Sequence, residues 1–429
     1  MTQAGRIEAA ILLLAAIALA PGRPADAVAN DFFRARRYIG SGDRRSVSGR
    51  VWQVLRSWRR LSWWLNGNTK PRMQVAASLL LEGWTLEGVS LAYSGGQHAP
   101  DALSSAELAP LRRLAGQSLD HPDMSEAERL EIPDWLLPSL RAVYGERLAE
   151  EAAAWMRPAP LDLRVNVLKA AREAAREALA GEGFTAEPTP LSPWGLRVAD
   201  RVPVTSGAAF QSGMVEIQDE GSQIVALLTD ARPGMRVADW CAGAGGKTLA
   251  LAMTMANKGR IVACDVSAKR LEASVARLRR AGVFNAEAHL TEEGDRWVKR
   301  RAGTFDRVLV DAPCTGTGTW RRNPDARLRL SPRDLAELAV KQAAILDQAE
   351  RLVRKGGRLV YATCSLLPEE NEQQVEAFLS RHPEYCVIPP QAVWEGADAG
   401  QMLRLSPARH GTDGFFCAIL EKRGEEAGA

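Results

Sequence analysis

The chain has 429 residues, enough for two to four domains at roughly 100–200 residues each. With 46% hydrophobic and 25% charged residues it sits in the globular range, which excludes a disordered, collagen-like or multi-span membrane protein. Its 55 basic and 52 acidic residues leave a net charge of +3, so any case for nucleic acid must rest on local charge.

The apolar run Ala9 to Ala20 follows Arg6 and precedes Ala25-Asp26-Ala27, the outline of an export signal. It is too short to span a bilayer. Arg6 beside Glu8 is a weak charged leader and nothing downstream looks extracellular. A buried first helix, ended by Pro21-Gly22, is therefore expected. Helical spacing continues through Val47-Val51-Val54-Leu55 and Val75-Leu79-Leu80, so residues 1–128 read as a helical bundle. Between Phe32 and Arg72 the charges are one-sided. Arg34, Arg36, Arg37, Arg44, Arg45, Arg50, Arg56, Arg59, Arg60, Lys70 and Arg72 face only Asp43, with Trp52, Trp58, Trp63 and Trp64 between them. The tryptophans suit an aromatic core. The arginines suit either a solvated face or a phosphate-contacting footprint.

Residues 129–205 read as a small α+β module. A helix over 136–155 leads to a strand over 161–167, a helix over 170–180 broken by Gly181 and Gly183, and a strand near 196–198. From 206 to 429 the pattern is a βα alternation. Strands are expected at 236–240, 260–264, 287–291, 305–310, 358–361 and 414–420, with helices between most of them. Such alternation implies an α/β fold: a doubly wound, mainly parallel sheet covered on both faces. The Gly/Glu-rich tail after Lys422 looks loose.

All six cysteines lie in the C-terminal half, with no C-x-x-C and no metal-ligand spacing to the five histidines. No metal site is expected, and reduced thiols place the chain in the cytoplasm. Four landmarks carry the chemistry. A strand runs into Cys241-Ala242-Gly243-Ala244-Gly245-Gly246-Lys247 and a helix follows, so a ligand can lie against the glycine backbone. The next strand ends in Asp265, where a ribose diol is held. That pair leaves a dinucleotide and S-adenosylmethionine both open. Asp295, after the third strand, suits either the adenine side or a turn. Strand four ends Asp311-Ala-Pro-Cys314-Thr-Gly-Thr-Gly318 and strand five ends Thr363-Cys364-Ser365, so two cysteines end neighbouring strands beside the cofactor loop. Their position makes them candidates for covalent chemistry.

At these residues the sequence resembles the Sun/Fmu family of RNA cytosine-5 methyltransferases, and within it the small-subunit ribosomal RNA type B (RsmB-like). The resemblance rests on residues 311–318, 363–365 and Glu369-Glu370-Asn371, with Gln218-Asp-Glu-Gly-Ser-Gln223 and Asp413-Gly-Phe-Phe416 in support. It implies a NusB-like RNA-binding domain over 1–128, an RNA-recognition-like module over 129–205, and a Rossmann-like S-adenosylmethionine-dependent catalytic domain over 206–429. Cys364 is then the nucleophile and Cys314 assists product release. Cys241, Ala242, Gly243, Ala244, Gly245, Gly246, Lys247, Asp265, Asp295 and Asp311 would line the cofactor site. Ala244 stands where the family has proline, which changes turn rigidity and removes no ligand group. The implied partner is RNA, ribosomal before transfer RNA, and the expected state is a monomer.

The reaction explains the residues. Carbon 5 of cytosine is a poor nucleophile until a thiolate adds at carbon 6. Asp311 would stabilise the adduct through the ring nitrogen and exocyclic amine, and Cys314, or a water it holds, would remove the carbon-5 proton. Lys247 reads equally as a cation lowering a neighbouring thiol's pKa and as a helix-start surface lysine. Arg321-Arg322-Asn323-Pro324, just after the Cys314 loop, suits either a grip on flanking phosphates at the rim of the pocket or a solvated loop. Two rivals stand: a nicotinamide-dependent oxidoreductase, which leaves both cysteine motifs unexplained, and a non-catalytic RNA-binding or assembly factor, against which the intact Cys314, Cys364 and Asp311 speak.

Overall fold

The computed structural model describes residues 1–198, 202–292, 295–398 and 400–424. The end of the tail, 425–429, lies outside them. The chain forms two compact units: Met1–Arg157 with Trp320–Leu330, and Pro158–Thr319 with Ser331–Ala429.

The first unit is helical. Its opening helix, Gln3–Ala18, is capped by the Thr2 hydroxyl, which accepts from the Gly5 amide. Ala9, Ala10, Leu13, Leu14 and Ile17 are buried in a core shared with Val47, Val51, Val54, Val75 and Leu79. The apolar run is thus the core helix that its spacing predicts. Each buried leucine contributes about 1.5–3 kcal/mol through area removed from water. The single helix expected over 136–155 is two, Leu137–Tyr144 and Leu148–Trp155. Gly145 separates them at φ +55°, a conformation that side chains resist. These helices belong to the helical unit: the Trp155 ring meets Tyr144 and Trp320 edge-on. Buried Glu131 accepts from the amides of Arg59 and Arg60.

In the second unit a small antiparallel sheet holds β1 (Leu161–Val165), β2 (Ala186–Pro188), β3 (Gly195–Val198) and β4 (Val215–Ile217), in the order β2-β3-β1-β4. The helix Arg172–Gly181 packs Ala175 and Leu179 against it.

The large sheet holds β5 (Arg236–Asp239), β6 (Arg260–Asp265), β7 (Ala286–Leu290), β8 (Phe305–Asp311), β9 (Val353–Thr363), β10 (Tyr385–Ile388), β11 (Leu403–Leu405) and β12 (Phe415–Lys422). Its order is β10-β12-β9-β8-β5-β6-β7, with β11 paired to β12. The pairs among β5, β6, β7, β8 and β9 are parallel, whereas β10, β11 and β12 pair antiparallel. Parallel strands are covered on both faces and read as continuous apolar runs. Ile261–Cys264, Val308–Val310 and Leu359–Ala362 fit that rule and are all buried. The order reverses between β5 and β8, so ligands belong at the carboxyl ends of these strands. This is a Rossmann-like α/β domain.

Candidate active site

The glycine loop leaves β5 and enters the helix Gly246–Thr254. Gly243 and Gly245 have φ of +55° and +78°, which a side chain would strain. A Cβ at Gly245 would lie 2.9 Å from Ser274 Cβ, whereas one at Gly243 meets nothing within 4 Å. The loop is therefore packed behind and open at Gly243. Its carbonyls are held from outside: Arg277 donates to Ala244 O at 2.7 Å and Arg164, from β1, to Gly246 O at 2.8 Å.

Asp265 ends β6 buried beneath this loop. Its Oδ2 accepts from Gly243 N and its Oδ1 from Ser267 N, both at 2.8 Å. Each oxygen keeps a second acceptor position, as a vicinal diol needs. Asp295 accepts from Trp297 N at 2.8 Å and pairs with His289 Nε2 at 2.6 Å. Burial raises its carboxyl pKa, but these two hydrogen bonds bring it below the ordinary value. Asp239, at the end of β5, is fully buried. Thr248 donates to its Oδ2 at 2.6 Å while Oδ1 has no hydrogen-bond partner, and burial pushes its pKa up to about 6. An open glycine face, a strand-end carboxylate and an unmatched buried acceptor fit a nucleoside bearing a charged amino-acid arm.

Two cysteines meet beside this crevice. β8 and β9 run in parallel, pairing Asp311 with Ala362, so the segments after them arrive side by side. Cys314 Sγ lies 3.4 Å from Cys364 Sγ, and both are half-buried. The hydrogen bond with Cys364, then burial, raises the Cys314 thiol well above its ordinary pKa. At neutral pH Cys314 therefore keeps its proton.

The Glu-Glu-Asn motif holds both loops. Fully buried Glu370 accepts from the amide and hydroxyl of Thr315 and from Gln342 Nε2. Fully buried Asn371 accepts from Thr363 Oγ1 at 2.6 Å and donates to Ser365 O at 2.9 Å, bracketing Cys364. Gly318 N donates to Cys364 O at 2.9 Å, and Gly414 N donates to Gly318 O at 2.8 Å. A Cβ at Gly318 would stand 2.2 Å from Gly414 O, so the two glycines of the separated motifs need one another.

Lys247 is buried rather than at the surface. Its ammonium donates to Asp311 Oδ2 at 2.6 Å and lies 5.7 Å from the Phe415 ring centre. Burial lowers its pKa, but Asp311 outweighs that and raises it. The lysine thus orders Asp311 directly and also lies within electrostatic reach of the Cys364 thiol, the first of the two sequence readings. Cys241 lines the loop, and burial pushes its thiol up. Cys264 and Cys417 are core residues.

One expectation is corrected. Arg321 does not present a phosphate grip: it is 5% exposed within the helical unit. Its carbonyl accepts from Arg56 Nη2, and that of Arg322 from Trp52 Nε1. Sequence reasoning also missed Gln342, Arg164 and Arg277, whose partners lie 28 to 82 positions away, and Asp239, which sits two residues before the loop. The 218–223 motif is structural. Glu220 accepts from the amides of Leu191 and Ser192, tying the β2–β3 loop to the start of the helix Glu220–Leu228.

Residues 226–421 match the family model described as 16S rRNA methyltransferase RsmB/F, and residues 132–205 match the ferredoxin-like domain of RsmF/B-like methyltransferases. A probable ribosomal RNA small subunit methyltransferase B from Synechocystis is 35% identical over 78% of this chain and 77% of its own. The crystal structure of PH0851 superposes with a TM-score of 0.79 at 26% identity, covering 98% of this chain and 99% of that one. A methyltransferase homologue from Pyrococcus horikoshii gives a TM-score of 0.61 at 29% identity, over 70% of this chain and all of that one.

Proposed function

Because the chain belongs to the RsmB/F family of 16S rRNA methyltransferases and uses S-adenosylmethionine, we propose that it methylates carbon 5 of a cytosine in 16S ribosomal RNA through a covalent adduct on Cys364. The observation that carries this reading is the pair of strand-end thiols 3.4 Å apart beside Asp311. A methyltransferase acting on a nitrogen or oxygen needs no such pair.

S-adenosylmethionine supplies an electrophilic methyl group on a sulfonium. Gly243 through Gly246, Asp265, Asp295 and the Asp239 oxygen are the residues that would hold it. Cys364 adds to carbon 6 as thiolate while the proton it gives up passes through the Asp311 carboxylate to the ring nitrogen, so carbon 5 becomes nucleophilic. Asp311, ordered by Lys247, accepts from that N–H and from the exocyclic amine. After methylation, carbon 5 carries both a proton and the methyl group. Cys314, once it has given its own proton to water, takes the carbon-5 proton; the 5,6 double bond returns, Cys364 leaves as thiolate and the ring nitrogen returns its proton to Asp311. Once Cys364 is bonded to carbon 6, the partner that most strongly keeps the proton on Cys314 is gone.

The target base must leave its stack, which unpaired rRNA permits. We assign recognition of the RNA to the helical region 1–128 and the module 129–205, and chemistry to 206–429. Two reduced thiols in the site call for the cytoplasm. The test is bisulfite sequencing of total RNA from cells with the protein, without it, and with Cys364→Ala. One 16S cytosine should lose protection in the last two. Unchanged protection at every 16S position would overturn the proposal, and loss confined to transfer RNA would redirect it.

A further inference from the structure

The fold sorts the one-sided basic stretch. Arg50 pairs with Glu82, Arg59 with Asp134, Arg60 with Asp120 and Glu131, and Arg72 with Glu107, each acid arriving from outside residues 32–72. Arg34 pairs with Asp31, and Asp43 is taken by Arg6 and the amino terminus. Arg56 is buried, with its guanidinium on the Arg321 carbonyl. Among the described residues, Arg36, Arg37, Arg44, Arg45 and Lys70 have no carboxylate partner. All but Lys70 lie at one corner: Arg36 and Arg37 just after the helix Ala25–Ala35, Arg44 and Arg45 in the first turns of the helix Ser41–Arg56.

That corner is built. Arg36 is fixed 3.9 Å over the Phe32 ring, and Arg44 Nε donates to Ile39 O at 2.8 Å. Arg37 and Arg45 are exposed. A cleft of about 600 Å³ is lined by Asn30, Phe33, Arg34, Arg37 and Arg44. Among these cations Tyr38 is 75% exposed, the only large hydrophobic side chain left in solvent between residues 20 and 90.

We infer that this corner docks a single-stranded segment of RNA, its arginines on successive phosphates and Tyr38 stacked on an unpaired base. Neutralised phosphates release counterions, and an aromatic face accepts any base. An anionic membrane would also attract the arginines, but Tyr38 and the half-exposed Met1, whose amino terminus meets Asp43, are too little apolar surface to insert. The inference rests on the proposal that the substrate is RNA, and assigns a contact to the helical unit.

The test is titration of the full-length chain with labelled 16S rRNA transcript across a salt series. Arg37→Ala with Arg45→Ala should weaken binding about tenfold or more at low salt. It should flatten the log affinity against log salt slope by about 1.4, at roughly 0.7 per lost single-strand phosphate contact. Tyr38→Ala should weaken binding about fivefold or more with the slope unchanged. Wild-type S-adenosylmethionine affinity and unfolding temperature verify that the variants are folded. Wild-type RNA affinity and slope in both variants would overturn the inference, as would lost binding to phosphatidylglycerol vesicles with RNA binding intact. A wild-type chain that binds RNA through these residues yet makes no 5-methylcytosine supports the surface and sinks the proposed reaction. Normal methylation with indifferent variants does the reverse.

Discussion

The sulfur of Cys314 lies 3.4 Å from the sulfur of Cys364, close enough for the two to share one proton. Their proposed roles separate by mutation. Cys364→Ala should neither transfer methyl nor form an RNA adduct that survives a denaturing gel. Cys314→Ala should add and transfer but release slowly, leaving enzyme trapped on RNA. Trapping by Cys364→Ala and not by Cys314→Ala would put the nucleophile on the other strand.

The same contact sets a pH dependence. The Cys364 hydrogen bond, then burial, holds the Cys314 pKa above its ordinary 9.0, so Cys314 should resist alkylation at neutral pH. Cys364→Ala removes the larger cause and leaves burial. The iodoacetamide rate of Cys314, followed by mass spectrometry, should then rise at lower pH than in the wild-type chain. An unchanged pH profile would mean that burial alone holds the proton.

The parallel strands β5, β6, β8 and β9 were legible because each carries an apolar run ended by an aspartate or a cysteine, and burial on both faces demands that pattern, whereas β7 is half-exposed and lacks it. Asp265, Cys314 and Cys364 were legible for the same reason: they stand where such strands stop. The helix break at Gly145 was missed because one glycine in a helical pattern is tolerated until its φ turns positive. The fate of Arg321 was unreadable locally. Its carbonyl is claimed by Arg56, 265 positions earlier, and neighbouring Trp320 packs on Trp155. Pairings such as Arg60 with Glu131 likewise cancel charge that the linear sequence shows as surplus.

Gly318→Ala tests the contact between the separated motifs. The new Cβ would lie 2.2 Å from Gly414 O and 2.8 Å from Cys364 O, both backbone atoms that can yield only by moving their loops. Overpacking of this kind costs about 1–3 kcal/mol. A shift of about 1 Å in Cys364 should lower the methyl-transfer rate by about a hundredfold. Thermal unfolding and single-turnover kinetics check the two effects, and a variant as fast as wild type would show that the loops can part freely.

Asp239 carries the last prediction, on stability. Burial raises its carboxyl from 3.8 to about 6, and Oδ1 finds no hydrogen-bond partner. A carboxyl whose folded pKa exceeds its unfolded one binds protons more tightly when folded. Its cost to the fold is therefore absent below about pH 4, grows as pH rises, and is complete above about pH 6. Asp239→Asn keeps an acceptor for the Thr248 hydroxyl and removes the charge. At pH 8 it should stabilise the protein without cofactor by about 1–3 kcal/mol, and at pH 4 by almost nothing. The same variant should bind S-adenosylmethionine more weakly if the unmatched oxygen receives a donor from it. Calorimetric unfolding at the two pH values, with and without cofactor, separates the effects. Equal stabilisation at both pH values would mean that Asp239 is not ionised in the folded chain, and that packing alone had changed.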